Sequence, residues 1–365
     1  MAKMYIQPPL ARKLPVIVLG ATGLVGQRLL ALLEGHPWFM VAGITASERN
    51  TSARYGEAVR WRVETAPPAY ALDLRMQAPD PAHLPPAQII FSALPTDEAR
   101  EIEPRFAAAG ALVFSNASAY RMDDDIPLIV PEINGDHLAA LPSQRTRCGW
   151  SGAIVTNPNC STIDLTLALA PLRRFGLQRA LVTTLQAASG AGYPGVAALD
   201  LLDNVIPYIS GEEEKIETET RKIFGAWSAS EGAFAPVSED ALRLSAQCTR
   251  VATRDGHLET VSVELAERPA PDEMIAAWDA YTAEPQRLDL PSAPAHPTLY
   301  RKENDRPQPI LDRLAGDDMA VTVGRLRQCA VLDYKFVCLS HNTLRGAAGA
   351  ALLNAELAYA QGLLA

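Results

Sequence analysis

The chain of 365 residues is 48% hydrophobic and 21% charged, which suits a globular protein with a large core and two domains or one elaborated one. Its 33 basic against 42 acidic residues give a formal charge of −9; that excludes a diffuse basic surface for nucleic acid or anionic lipid, so any anionic ligand has to be met by a few local Arg and Lys. Five scattered cysteines with no C-x-x-C pair and no zinc-type His spacing indicate neither a disulfide framework nor a metal site. Met1 to Lys13 lacks the apolar stretch of a secretory signal and no later segment is a long uncharged apolar span, so a cytoplasmic, reduced protein without membrane contact is expected.

Leu14 to Leu19 reads as a fully buried strand and runs straight into Gly20-Ala21-Thr22-Gly23-Leu24-Val25-Gly26, after which Arg28 to Leu33 follow a helical pattern. Strand, glycine loop and helix in this order form a dinucleotide-binding signature. Gly20 permits the tight turn, Gly23 lets backbone approach a pyrophosphate at the helix N-terminus, and Gly26 lets helix and strand pack closely. Gly20, Thr22, Gly23, Leu24, Val25 and Gly26 are therefore the candidate cofactor loop, although a strand-to-helix turn can use glycine for geometry alone. A second strand, Met40 to Thr45, ends in Ala46-Ser47-Glu48-Arg49, where folds of this type read the ribose 2′ position. Ser47 can donate to a 2′-phosphate and Arg49 can pair with it, which favours NADP over NAD; Glu48 leaves a solvated surface turn as the other reading.

Ala66 to Pro86 is Pro-rich and reads as a loop with one edge strand. Ala87 to Pro95, which contains Ser92, and Ala111 to Asn116 are two more buried strands on either side of a helical stretch, Asp97 to Ala109. The alternation predicts a Rossmann-type, doubly wound parallel sheet in an α/β protein.

Thr156-Asn157-Pro158-Asn159-Cys160-Ser161-Thr162 holds one thiol at the start of a helix. Asn-Pro-Asn favours a turn, and Ile163, Leu165, Leu167 and Leu169 open an apolar run. At a helix N-terminus the partial positive charge of unpaired N–H groups stabilises a thiolate and a developing oxyanion. A buried structural cysteine is the plain alternative. The strand Ala180 to Gln186 leads into the glycine-rich loop Ala187 to Gly195, so Gln186 can orient a substrate or simply close a strand, and Ser189 and Gly190 lie in the loop itself. Gly211 to Ile223 is a charged helix with an i,i+3 pair of Glu212 and Lys215, which most often means a solvated face. Cys248 to His257 precedes an alternating strand, Leu258 to Leu265, and suggests a hairpin turning at Asp255-Gly256; a His at such an edge reaches a cleft or rests on the surface. The C-terminal pattern Gly346 to Leu364 is helical and apolar on one face through Ala350, Leu353 and Leu357.

Five motifs in order, Gly20 to Gly26, Asn157 to Thr162, Gln186 to Gly192, Gly211 to Lys215 and Arg250 to His257, resemble aspartate-semialdehyde dehydrogenases. The likeness is to the archaeal and fungal branch through Ile206 to Glu217 and the tail Lys335 to Gly349, and it spans nearly the whole chain. The resemblance implies Cys160 as nucleophile, His257 as acid/base and Gln186 as positioner of the substrate. It further implies that Arg250 binds the substrate α-carboxylate, Glu212 its ammonium, and Arg121 with Lys215 and Asn159 the phosphate, while Ser92, Ser189, Gly190 and Asn342 join the NADP-binding set. Residues 1–158 would form the NADP domain, with the C-terminal helix 344–365 packed back on it, and 159–343 a mixed-sheet catalytic and dimerisation domain. The expected assembly is a homodimer or homotetramer.

The residues suit that chemistry on their own. An aldehyde hydrogen leaves as hydride only after the carbonyl carbon has become tetrahedral, so a thiolate must add first. His257, with an ordinary pKa near about 6.5, is expected to take the thiol proton. Phosphate would then release the thioester as L-4-aspartyl phosphate, and lysine, threonine and methionine biosynthesis would run the sequence backwards. A malonyl-CoA or other acyl-CoA reductase on the same frame remains an alternative, opposed by Glu212, which has no ammonium to meet in malonyl-CoA; an N-acetyl-glutamyl-phosphate reductase leaves Glu212 unmatched as well. A nucleotide sensor without catalysis would have no use for Cys160, Arg250 and His257 together.

Overall fold

The computed structural model describes residues 13–47 and 50–364. The apolar runs of the first half become β1 (Leu14–Leu19), β2 (Phe39–Thr45), β3 (Met76–Gln77), β4 (Ile89–Ser92), β5 (Leu112–Ser115) and β6 (Ala153–Thr156). They pair in parallel in the order β3-β2-β1-β4-β5-β6. Every residue of β4, β5 and β6 is buried, as expected where helices cover both faces of a parallel sheet. The edge strand anticipated in the Pro-rich segment is β3. Strand order reverses between β1 and β4, so the carboxyl ends of these two open the crevice in which such sheets bind ligands. The glycine loop enters the helix Leu24–Leu32 at that crevice. Gly26 has no alternative there, because a Cβ on it would lie 2.3 Å from the Gly20 carbonyl oxygen.

The second half supplies β7 (Leu177–Gln186), a small ribbon of β8 (Ala226–Ser228) and β9 (Ala233–Ala235), then β10 (Arg243–Arg250), β11 (His257–Leu265), β12 (Thr298–Arg301), β13 (Val321–Gln328) and β14 (Tyr334–Ser340). The large sheet is mixed, in the order β10-β7-β11-β14-β13-β12. The expected β10–β11 hairpin does not form: β7 lies between the two strands, and residues 251–256 arch over its end. A tight turn joins strands one spacing apart, about 4.8 Å, whereas this arch crosses two. The correction matters for the site. Arg250 pairs with Gln186 and Leu258 with Leu185, so Gln186, Arg250 and His257 end up side by side at one edge of the sheet.

The helix Cys160–Leu169 is buried from Ser161 onward. Its Ile163, Leu165 and Leu167 share a core with Val182, Val261, Trp278 and Phe336 of the second half. The C-terminal pattern is not one amphipathic helix. A π-helical turn, Leu344–Ala348, leads into the helix Gly349–Ala360, all 12 residues of which are buried. Leu352, Leu353 and Ala355 pack with Val16, Phe91 and Phe114, so the chain's end returns to the first sheet. Two polar side chains of this buried helix find partners in other segments: Asn354 Nδ2 donates to Asn157 at 2.6 Å, and Glu356 accepts from Ser292 and bonds His36 at 2.8 Å, while Asn354 Oδ1 has no hydrogen-bond partner among the described residues. Among the described residues no helix is long and apolar enough to cross a membrane.

Candidate active site

Cys160 is the first residue of its helix, as the Asn-Pro-Asn turn predicts. Asn159 is the N-cap, its Oδ1 accepting from the Ser161 and Thr162 N–H groups at 2.9 and 3.4 Å. The Sγ lies 3.2 Å from His257 Nε2, and the other ring nitrogen, Nδ1, accepts from the Ala187 N–H at 3.0 Å. The two residues that sequence spacing put 97 positions apart are thus in contact.

Their electrostatics differ from the expected thiolate. Burial, with the negative charges of Glu212 and Asp164, pushes the Cys160 thiol well above its ordinary value against the weaker pull of Arg121 and the Ser161 N–H. The helix N-terminus does not rescue the thiolate: the Ser161 N–H favours it but is shared with the Asn159 side chain, and burial outweighs it. Burial, Arg250 and His341 push the His257 imidazole down to about 3. At neutral pH the pair is a thiol beside an uncharged imidazole.

The charged helix Glu212–Ile223 is not a solvated face either. Glu212 is buried and gathers three of the other candidates: Lys215 Nζ at 3.0 Å on Oε1, and Asn159 Nδ2 at 2.8 Å and Gln186 Nε2 at 3.3 Å on Oε2. Burial alone would raise its carboxyl, but Lys215 and these hydrogen bonds outweigh it and hold the group below its usual range. Two turns on, Glu219 bonds Arg121 Nη1 at 3.0 Å and accepts from the Asn159 N–H at 2.6 Å. Lys222 then fixes the backbone of the Arg121 loop by donating to the carbonyls of Arg121, Asp123 and Ile126. Arg121 Nε is buried without a hydrogen-bond partner among the described residues. Arg250 Nη1 donates to the Ala187 carbonyl at 2.8 Å.

A cavity of about 550 Å³ holds these groups together; it is lined by Cys160, Asn159, Arg121, Glu212, Lys215, Ser189, Gly190 and Asn342 on one side and by Gly23, Leu24, Val25 and Ala93 on the other. Gln186, Arg250 and His257 stand behind that wall, each at most 5% exposed. A neighbouring cavity of about 540 Å³ contains Gly20, Thr22, Thr45 and Ser47 and shares Gly23, Ala93, Leu94 and Pro95 with the first. A dinucleotide fits this pair of spaces. The N-cap of the helix Leu24–Leu32 is Gly23, and among the described residues no side chain caps its first turn, which leaves the leading N–H groups open to a pyrophosphate, with exposed Ser47 at the far end. Arg49 lies outside the described residues.

Other placements refine the candidate set. Ser92 is fully buried inside the sheet, and the next residues, Ala93 and Leu94, line the cavities in its stead. Asn342 ties two loops together, accepting from the Gly256 N–H at 2.9 Å and donating to Ser189 Oγ at 2.9 Å. Sequence reading passed over Glu219, Lys222 and the Ala187 N–H, whose importance depends on partners distant in the chain. It also gave no role to Gly346, where a Cβ would lie 2.6 Å from the Cys160 Cβ.

Residues 15–141 match the family model described as the NAD-binding domain of semialdehyde dehydrogenases, and residues 169–345 the one described as their dimerisation domain. An aspartate-semialdehyde dehydrogenase of Archaeoglobus fulgidus is 49% identical over 340 residues, 93% of this chain and 96% of that protein. One from Cryptococcus neoformans is 45% identical over 359 residues, covering 96% and 98%. The crystal structure of the Candida albicans aspartate-semialdehyde dehydrogenase with NADP superposes with a TM-score of 0.88 at 40% identity, over 96% of this chain and 99% of that one. The glycine loop, the thiol–imidazole contact and the cluster around Glu212 therefore sit in the frame of those enzymes: the chain belongs to the aspartate-semialdehyde dehydrogenase family.

Proposed function

We propose that the protein is an NADP-dependent aspartate-semialdehyde dehydrogenase that interconverts L-4-aspartyl phosphate and L-aspartate 4-semialdehyde through a thioester on Cys160, in the biosynthesis of lysine, threonine and methionine. The observation that carries this reading is the convergence on one cavity of a thiol touching an imidazole, a buried carboxylate and two cations, next to an uncapped glycine-loop helix. Cys160 adds to the aldehyde carbon, with His257 beside the reacting atoms. Gln186 and Arg250, at adjacent strand ends, position the substrate and its α-carboxylate, and Glu212 meets its ammonium. Arg121, with its unpartnered Nε, and Lys215 receive phosphate; Asn159 contributes by holding Glu212 and the first turn of the Cys160 helix. NADP, bound on Gly20 to Gly26 with Ser47 toward its 2′-phosphate, would supply the hydride acceptor.

The Candida relative's NADP and the cavity at Ser47 support the cofactor. The dimerisation-domain match supports a homo-oligomer, and so do the apolar side chains left in water on the second half, Leu181, Leu199, Leu202, Val205 and Tyr208. The test is the initial rate of NADPH formation with L-aspartate 4-semialdehyde and phosphate, run beside NADPH oxidation with malonyl-CoA. Phosphate-dependent activity on the semialdehyde alone is expected; activity with the CoA thioester alone would assign the protein to the acyl-CoA reductases and leave Glu212 without its partner.

A further inference from the structure

The segment from Arg60 to Arg62 is pinned through its backbone by one buried side chain. Gln27 Nε2 donates to the Arg60 carbonyl at 3.1 Å, and Gln27 Oε1 accepts from the Arg62 N–H at 2.8 Å. The same amide nitrogen donates to the Thr22 carbonyl at 3.1 Å, which registers the segment against the glycine loop. So fixed, the Arg62 guanidinium lies over the Tyr193 ring, 3.2 Å from its centre. At that separation only the flat face of a guanidinium fits against a ring, and its N–H donors then point outward along the edge. Among the described residues no side-chain or backbone acceptor takes those of Arg62, nor those of exposed Arg60.

These two side chains line a cavity of about 400 Å³, within the about 300–1,000 Å³ of small-molecule sites. Arg28 and Arg254 line it too, but both are engaged by Glu64, at 2.8 and 3.1 Å, and Arg254 also meets Asp255 at 3.4 Å. Arg60 and Arg62 are therefore the guanidiniums left without a counter-charge. The cavity shares Leu24, Ser189, Gly192 and Tyr193 with the one that holds Cys160, so it stands at the mouth of the catalytic space.

We propose that Arg60 and Arg62 form a second anion site that takes inorganic phosphate at this mouth and supplies it to Arg121 and Lys215. The anion site stands on the geometry alone; its supplying role rests on the function proposed above. A chain with a formal charge of −9 repels a dianion at long range, so phosphate has to be gathered by a local excess of positive charge. A guanidinium edge presents paired N–H donors that match two phosphate oxygens, and the ring beneath Arg62 holds that edge in place. The phosphate groups of NADP share this chemistry, but the cofactor has its own place on the glycine loop, in the cavity that contains Gly20, Thr22 and Ser47.

Trp61 lines the same cavity with its Nε1 held by the Thr65 carbonyl at 2.6 Å, and it serves as the reporter. Inorganic phosphate is titrated into the whole enzyme at low ionic strength, and the Trp61 signal is identified as the one missing from Trp61→Phe. A saturable response to phosphate, absent from Arg60→Gln/Arg62→Gln, is expected; no response, an equal response to chloride, or a response only to NADP would overturn the proposal. In the assay with semialdehyde, the double variant should lose about fivefold in kcat/KM for phosphate at low salt, with kcat and KM for NADP retained. Charged clefts raise capture rates by about 10–10³-fold, and the difference should vanish near 1 M salt, where screening acts within about 3 Å. An equal rise in KM for NADP would mean a diffuse field, and an unchanged kcat/KM would leave a site without the role; either result overturns the proposal. A Trp61 response that the double variant abolishes, in an enzyme without phosphate-dependent activity on the semialdehyde, refutes the functional reading and not the anion site.

Discussion

Replacing Gly346 by Ala tests how rigidly the nucleophile is held. A Cβ at 346 would stand 2.6 Å from the Cys160 Cβ and 3.1 Å from its Cα, and ordinary contact begins at 3.4 Å, so one side has to yield about 0.8 Å. Gly346 belongs to the π-helical turn and is buried, with the fully buried helix Gly349–Ala360 behind it. Cys160, facing the open cavity, is the side free to give. A displacement of that size breaks the 3.2 Å contact with His257, and misplacing a reacting group by about 1 Å costs on the order of 10²-fold in rate. Overpacking should also remove about 1–3 kcal/mol of stability. Gly346→Ala is therefore expected to lose about a hundredfold in kcat with semialdehyde and phosphate while NADP affinity, measured by fluorescence quenching, stays within a factor of three. Gly35→Ala is the control: φ is +69° there but nothing lies within 4 Å of an added Cβ, so it carries backbone strain without touching the site. A Gly346→Ala enzyme with kcat close to that of Gly35→Ala would show that the thiol tolerates the shift and refute the reasoning.

Glu212→Gln removes one of the charges that hold the Cys160 thiol up, so alkylation by iodoacetamide at pH 8 should quicken even as KM for the semialdehyde rises; an unchanged pH profile of alkylation would rule out that coupling. Glu219→Gln gives up a charge-assisted bond to Arg121 and the anchor of the Asn159 N–H, and should raise KM for phosphate about tenfold, with KM for NADP the unaffected reference. Glu103, buried in the helix Thr96–Ala108 and bonded to Ser115 at 2.6 Å, has its carboxyl pushed up to about 7 by burial. Because an unfolded Glu ionises near about 4.3, both states keep the proton below pH 4. Between there and pH 7 the unfolded chain ionises first, and native stability falls by up to about 4 kcal/mol, levelling off above. Glu103→Gln should thus melt higher than the parent at pH 8 and not at pH 4; parallel melting curves across that range would contradict the assigned shift.

What the sequence discloses and what it withholds divide along the range of the interaction. Asn-Pro-Asn before Cys160 and the glycines between β1 and the helix Leu24–Leu32 are local devices, whose turn chemistry acts over a few residues, and both appear where their spacing puts them. The β10–β11 hairpin fails because the strand that separates them, β7, is contributed from elsewhere in the chain, and Asp255-Gly256 looks the same whether the turn joins neighbours or arches over a third strand. The helix Glu212–Ile223 reads as a solvated face because its acids and bases are counted by type, while Glu212, Glu219 and Lys222 are buried against partners supplied by three other segments. Protonation follows the same division. A helix N-terminus argues for a thiolate at Cys160, yet the resting state is set by burial and by the nearby negative charges of Glu212 and Asp164, which only the fold brings there. An ammonium group paired with Glu212 would cancel part of that charge, so the substrate itself would lower the thiol's resistance to ionising at the moment the thiolate is needed, and the free enzyme would keep its nucleophile protonated until then.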